Sequence, residues 1–353
     1  MNNNDYFKNR DIETQKKINK NLASLPYFCY EYIAGIESKT SALTRLGYTQ
    51  DLKIFFEFLT TEVERFVKKN IKQLELKDLA TLTASDLEIY LNYLSSYNAT
   101  LSEKSYTNCS TSKARKLSAI RSLLTYFYRK GKLPENVSTK IDTPKIKEKP
   151  IIRLEVDEIV KLLDNAECPE GFSKRQNSYN KLTRKRDVAL LTLLLGTGIR
   201  VSECVGLNIN DIDFKINGFK ITRKGGGQVI LYFSNEVADA LKEYLEERLS
   251  NKYVDKDETA LFLSLQNKRL GVRSVENLVK KYSKSCIPLK KITPHKLRST
   301  YGTNLYRQTG DIYIVADVLG HKDVNTTKKH YAAISDDARR NVANIIKLRE
   351  EKE

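Results

Sequence analysis

The sequence predicts a mainly α-helical chain with a small antiparallel β-sheet, divided into two domains. Three observations carry that expectation. Apolar residues recur at steps of three and four along most of the chain, which is the period of a helix with one buried face. A single stretch, residues 219–233, alternates as strands do and turns on a run of glycines. A length of 353 residues with 40% hydrophobic content is more than one compact core normally organises.

In the first half, Leu46, Leu52, Phe55, Phe56 and Leu59 place a helix within residues 40–59. Ser85 and Glu88 have capping-box spacing ahead of Ile89, Tyr90, Leu91 and Leu94. From about residue 112 to 130, Leu117, Ile120, Leu124 and Phe127 line one side of a third helix. Lys113, Lys116 and Arg121 fall on its other faces. A charged outer face is ordinarily just solvated, but the excess here is of one sign, which makes these three the expected DNA-facing residues. Residues 95–111, rich in Ser, Thr and Asn, suit a loop. The stretch DTPKIKEKP at 142–150 has two prolines and three lysines and suits a semi-extended linker. The expected N-terminal domain is therefore 1–145, the linker 146–152 and the second domain 153–353.

In the second half, helices are expected around 155–163 and 187–195, with the polar, basic residues 166–186 as an inserted loop. Phe219, Ile221 and Arg223 alternate with Lys220 and Thr222; Gly225–Gly227 make the turn, and Val229–Phe233 return as the partner strand. Helices resume near 234–249, 274–284, 294–308, 311–319 and 336–349.

Charge narrows the function. Sixty-one Lys and Arg against 44 Asp and Glu give a formal +17. The excess is shared: 25 basic against 17 acidic side chains up to Pro150, and 36 against 27 after it. A basic surface on each domain points to a polyanion, nucleic acid before an anionic membrane, with a merely solubilising surface as the plain alternative. No run of 18 apolar residues suggests membrane insertion, and the N-terminus has no signal-peptide core. The five cysteines are scattered without metal-site or disulfide spacing, which points to a reduced, cytoplasmic setting and no metal.

The chemistry-bearing residues cluster late. Thr293-Pro294-His295-Lys296-Leu297-Arg298 reads as a helix start, Thr as N-cap and Pro at the first position. His295 and Arg298 then share a face at a helix N-terminus, where phosphate binds well. Gly320 in Leu319-Gly320-His321 fits a helix C′ position. Upstream, Thr197-Gly198-Ile199-Arg200-Val201-Ser202-Glu203 sets an arginine just after a helix end. Each fragment alone is a weak signal.

Their order is specific. T-G-I-R-x-S-E, a hairpin with Lys-Gly at its tip, H-x-L-R, L-G-H and then a tyrosine is the collinear pattern of the tyrosine recombinases, the integrase family, which this chain resembles from about Arg186 to Tyr331. The helical first half, with its K-L-S-A-I-R-S-L-L run, resembles the family's core-binding domain. The region SKRQNSYNKLTRKRDVALLTLLL is most similar to Xer-type recombinases of low-GC Gram-positive bacteria that act without a partner recombinase.

The resemblance implies the two-domain architecture of the family, a helical core-binding domain plus an α/β catalytic domain. It also implies roles. Tyr331 is the nucleophile, giving a 3′-phosphotyrosyl link and a free 5′-hydroxyl. Arg200 and Arg298 hold the non-bridging oxygens, and His295 and His321 donate hydrogen bonds and assist proton transfer. Lys224 is the general acid for the leaving oxygen, and Glu203 supports the site. No metal, ATP or other cofactor is implied. The expected partners are double-stranded DNA with an inverted-repeat site, a homotetramer on synapsed DNA coupled by C-terminal helices through a Holliday junction, and an accessory protein as an open addition. The role implied is Xer-type chromosome dimer resolution; the alternative is an integrase or excisionase of a phage or conjugative element. Rivals from other classes are a non-enzymatic DNA-binding protein on the same fold and a topoisomerase-like nicking enzyme.

Three departures stand out. Ser299 occupies a position where many relatives carry His, Tyr331 follows His321 by ten residues rather than nine, and His330 precedes the tyrosine. His330 reads best as a solvated neighbour of Lys328 and Lys329, and Tyr301 and Tyr306 as packing residues on the Arg298 helix.

Overall fold

The computed structural model describes residues 3–98, 105–146, 151–223, 227–321 and 324. The chain forms two compact units, Phe7–Lys149 and Pro150–Glu353, the latter joined by Met1–Tyr6. The expected Asp336–Arg349 helix, Lys224 and Tyr331 lie outside the described residues.

The first unit is built from α1 (Asn3–Leu22) from Phe7 onward, α2 (Phe28–Gly35), α3 (Ala42–Glu62), α4 (Leu76–Ala80), α5 (Ala84–Tyr93) and α6 (Ser110–Arg129). Its core is aromatic: Phe55, Phe56, Phe58, Tyr90 and Phe127 are fully buried between α3, α5 and α6. Two sequence expectations are corrected here. The capping box of α5 is Thr83 with Asp86, two residues before the expected pair, so Ser85 lies within the helix. Asp86 accepts from the Thr83 amide and hydroxyl, and Arg65 pairs with the same carboxylate, which favours this register over the Ser85/Glu88 alternative. Within the stretch expected to be a loop, β1 (Tyr97–Asn98) and β2 (Ser105–Tyr106) pair antiparallel, with Tyr97 and Tyr106 stacked at 5.7 Å.

The second unit contains α7 (Val156–Glu167), α8 (Lys174–Thr197), the short α9 (Val201–Cys204), β3 (Ile212–Asp213), β4 (Gly218–Thr222), β5 (Gln228–Tyr232), α10 (Asn235–Ser250), α11 (Val272–Cys286), α12 (Pro294–Thr309) and α13 (Ile312–Leu319). Helix α8 is the axis, packed by α7, α10 and α12. Its last turns are buried all round, through Ala189, Leu190, Leu191, Leu193 and Leu194. The inserted loop expected over 166–186 is mostly helix. Ser173 and Gln176 form a capping box that starts α8 early. The polar first turns are then anchored by a buried network in which the Tyr282 hydroxyl, with one proton to share, lies 2.5 Å from Asn180 Oδ1 and 2.8 Å from the Asp187 carboxylate.

The three strands form one antiparallel sheet in the order β3-β4-β5. Phe219 pairs with Leu231 and Ile221 with Val229, so β4 sends its apolar side chains to the core. The Arg223 amide donates to the Gly227 carbonyl at 2.8 Å, closing the hairpin as its glycines suggest.

Candidate active site

Four helix ends converge in the second unit. Helix α8 ends at Gly198 with φ +60°, the left-handed conformation that glycine adopts without strain. That turn releases the chain into α9 with Arg200 at the N-cap position. Glu203, buried, accepts from the Arg200 amide at 3.1 Å and from its guanidinium at 2.8 Å, so one carboxylate fixes both backbone and side chain of the arginine.

Helix α12 starts at Pro294, as its sequence predicts, although the Thr293 side chain makes no capping bond. It carries His295, exposed, in its first turn and Arg298, buried, one turn on. Ser299, also buried, donates back to the His295 carbonyl at 3.0 Å. Tyr301 and Tyr306 pack on Val315 and Leu319, which accounts for both as packing residues.

Helix α13 ends at Gly320, φ +61°. The His321 amide donates to the Ala316 carbonyl and the Gly320 amide to that of Asp317, each at 2.9 Å, which is the Schellman pattern. That leaves most of the carbonyls of the last turn facing outward, at the negative end of the helix dipole. Guanidinium groups take them. Arg200 donates to the Gly320 carbonyl at 2.9 Å. Arg298 donates to Leu319 and, with its other terminal nitrogen, to Gly198. Arg223 donates to Asp317 at 3.0 Å and to Val318 at 2.7 Å.

The result is a compact cationic centre, three guanidinium groups gathered on one helix end, one of them paired with the Glu203 carboxylate, with His321 on the turn they hold. Burial pushes the Arg223 guanidinium below the ordinary arginine value, and the charge of Arg200 adds to this while Glu203 opposes it. A centre of fixed guanidiniums on a rigid carbonyl frame suits a phosphate group, whose charge spreads over several oxygens. Burial pushes the neighbouring Cys204 thiol up to about 12, so it is a packing residue rather than a nucleophile. Among the described residues no three His, Cys, Asp or Glu side chains gather where they could hold a metal ion.

Of the site residues picked from sequence, Arg200, Glu203, Arg298 and the His321 turn are thus brought together, and His295 sits one helical turn from Arg298. Arg223 was missed. Its signal was its place at the end of β4, directly before Lys224, where it reads as one more strand residue.

On α6 the outward face differs from expectation. Lys116 is buried and donates to the fully buried Asp51 at 3.2 Å. Arg121 donates to the Ser138 and Ile141 carbonyls and to Thr143. Both are corrected from solvent-facing cations to residues that tie α6 to its own unit. Lys113 stays at the surface, donating to Ser95 at 2.6 Å, and Arg115, an exposed cation that sequence reasoning passed over, also pairs with Asp51.

Residues 153–338 match the model of the phage integrase family. The chain belongs to that family, the tyrosine recombinases, and is an enzyme of site-specific DNA recombination. It is 32% identical over 329 residues to the tyrosine recombinase XerC of Caldanaerobacter subterraneus subsp. tengcongensis, covering 91% of this chain and 86% of that protein. It is 30% identical over 355 residues to the tyrosine recombinase XerS of Streptococcus thermophilus, covering 94% and 98%. Among solved structures, the XerH site-specific recombinase bound to palindromic difH substrate in a post-cleavage complex shares the fold at a TM-score of 0.63 and 20% identity, over 86% of this chain and 80% of that one. The Tn1549 transposon integrase in complex with circular intermediate DNA does so at 0.61 and 20%, over 92% and 100%.

Proposed function

We propose that this recombinase cuts and rejoins DNA by an in-line attack of the Tyr331 hydroxyl on a scissile phosphate, with Arg200 and Arg298 stabilising the charge that develops on the non-bridging oxygens. The observation that carries this reading is the cationic centre at the end of α13: Arg200 and Arg298, distant in sequence, hold adjacent carbonyls of one turn. Guanidiniums stay charged at any working pH and bind oxyanions in a fixed geometry, so two of them supply the electrostatic stabilisation that a metal provides elsewhere. The His321 turn and His295 add hydrogen-bond donors. Lys224 protonates the departing 5′-oxygen, and Glu203 positions Arg200. A tyrosine with an ordinary pKa near 10 is a poor nucleophile at neutral pH, which is why donors and cations must surround it. The covalent intermediate retains the phosphodiester energy, so rejoining requires no nucleotide.

In this reading the first unit is a DNA-clamping domain, with Lys113 meeting the phosphate backbone while Lys116 and Arg121 hold α6 in place. Four protomers act on two duplexes bearing an inverted-repeat site, through a Holliday junction, inside the cytoplasm. The XerC- and XerS-named relatives, aligned over most of the chain, favour the chromosome-dimer-resolving role over that of a mobile-element integrase. The test is strand exchange between two labelled duplexes carrying the inverted repeat selected by the full chain from random DNA, without ATP and with EDTA. Recombinant duplexes are expected. Nicked or relaxed DNA with no exchanged strands would refute the recombinase mechanism in favour of a nicking enzyme.

A further inference from the structure

Of the three guanidiniums on the α13 terminus, Arg223 alone has no role in the reaction as described. Both of its terminal nitrogens are spent on consecutive carbonyls, Asp317 and Val318. Its approach to the turn is closer than any side chain there would permit. A Cβ at Gly320 would lie 1.6 Å from one terminal nitrogen of Arg223 and 2.4 Å from the central carbon of its guanidinium. Gly320 therefore has two duties: its left-handed φ ends the helix, and its bare face accommodates the arginine.

We propose that Arg223 is a positioning residue for strand cleavage, clamping the last turn of α13 from the hairpin side so that the His321 turn keeps its place against Arg200 and Arg298, with Gly320 leaving the room it needs. This rests on the strand-cleaving reading of the site. Arg200 and Arg298 hold the Gly320 and Leu319 carbonyls, Arg223 the two before them, so the four successive carbonyls of residues 317–320 are fixed by three side chains from three separate segments. Loss of one support frees the turn to shift, and a shift on the order of 1 Å at a catalytic centre is enough to cost about a hundredfold in rate. Arg223 acts through the carbonyls; it is not assigned contact with the reacting phosphate.

The full-length chain is assayed by single-turnover formation of the covalent adduct on a nicked duplex carrying the selected inverted repeat, at saturating protein, with DNA affinity and thermal melting measured alongside. Arg223→Ala is expected to slow adduct formation by about tenfold to a hundredfold while DNA affinity stays within about twofold. Gly320→Ala, which expels the arginine without removing it, is expected to slow it equally. The control is Gly310→Ala: Gly310 also has positive φ, +67°, but nothing lies within 4 Å of the added Cβ, so it carries the backbone strain without the clash. It should lower the melting temperature and cleave at the wild-type rate. Arg223→Lys keeps the charge but cannot span two carbonyls, and is expected to stay slow.

Wild-type rates in Arg223→Ala, or in Gly320→Ala should the first variant not fold, would overturn the proposal. So would full rescue by Arg223→Lys, which would make the role one of charge alone. Wild type and Tyr331→Phe separate the two levels. A Tyr331-dependent adduct formed equally fast by wild type and Arg223→Ala removes only the clamp. No adduct from wild type removes the reading beneath it as well.

Discussion

At the scale of single residues, the centre combines groups that look interchangeable in sequence but do different work. Arg298 is buried with both terminal nitrogens on carbonyls, whereas Arg200 keeps about a third of its side chain exposed and is held by a buried carboxylate. Both act on non-bridging charge in the proposed mechanism, and Lys224 acts on the bridging 5′-oxygen. A substrate with sulfur in place of that oxygen has a leaving group that needs no proton. Lys224→Ala should then be slow on ordinary DNA and largely rescued on the thio substrate. Arg200→Ala and Arg298→Ala, each expected to cost about 10²–10³ in cleavage rate, should show no rescue. Equal behaviour of all three on the thio substrate would remove Lys224 from its assigned role. The arginines were legible in the sequence because each is tied to a local signal, a glycine turn before Arg200 and a proline-led helix start before Arg298. Arg223 was not legible, because what singles it out is a helix end 94 residues further on.

At the scale of elements, the helical period and the glycine-tipped hairpin were readable, and the errors have a common cause. Polar composition alone does not mark a loop or a solvent-facing side chain where buried partners satisfy it. Residues 174–186 are polar yet helical, since the Ser173–Gln176 box and the buried Tyr282–Asp187–Asn180 network satisfy them locally. Lysine normally faces outward, but Asp51 on α3 draws Lys116 in. A charge pair buried to this extent is strongly destabilising when half removed. Asp51→Ala should lower the unfolding free energy by about 3–5 kcal/mol in urea denaturation, since Lys116 is left buried without its counter-charge. Asp51→Leu combined with Lys116→Met should recover much of that loss. A single substitution costing under about 1 kcal/mol would contradict the packing of α6 on α3 described above.

At the scale of the whole molecule, charge and family point the same way. An excess of +17, divided between both halves of the chain, is an electrostatic footprint for a duplex rather than a basic tail. Affinity for DNA should therefore fall steeply with salt, at a log–log slope of about 0.9 per phosphate neutralised, and the sum over two basic units should reach several phosphates. A flat salt response would reduce the charge to a solubility device. The order of the catalytic motifs along the chain allowed the family to be read before the fold, whereas the division of labour among surface cations needed the packing of α6.

The proposed mechanism requires Tyr331 to become joined to DNA at the arginine centre, and covalent capture tests this directly. A nicked duplex bearing the selected inverted repeat loses a short fragment on cleavage and traps the intermediate. Wild type should yield a protein–DNA adduct whose digestion places the nucleotide on the peptide containing Tyr331, with EDTA present throughout. Tyr331→Phe should give none while binding DNA with affinity within about threefold of wild type, because the lost hydroxyl is the nucleophile and the basic surfaces supply the affinity. An adduct of normal yield from Tyr331→Phe, or one mapped to Tyr301 or Tyr306, would contradict the account.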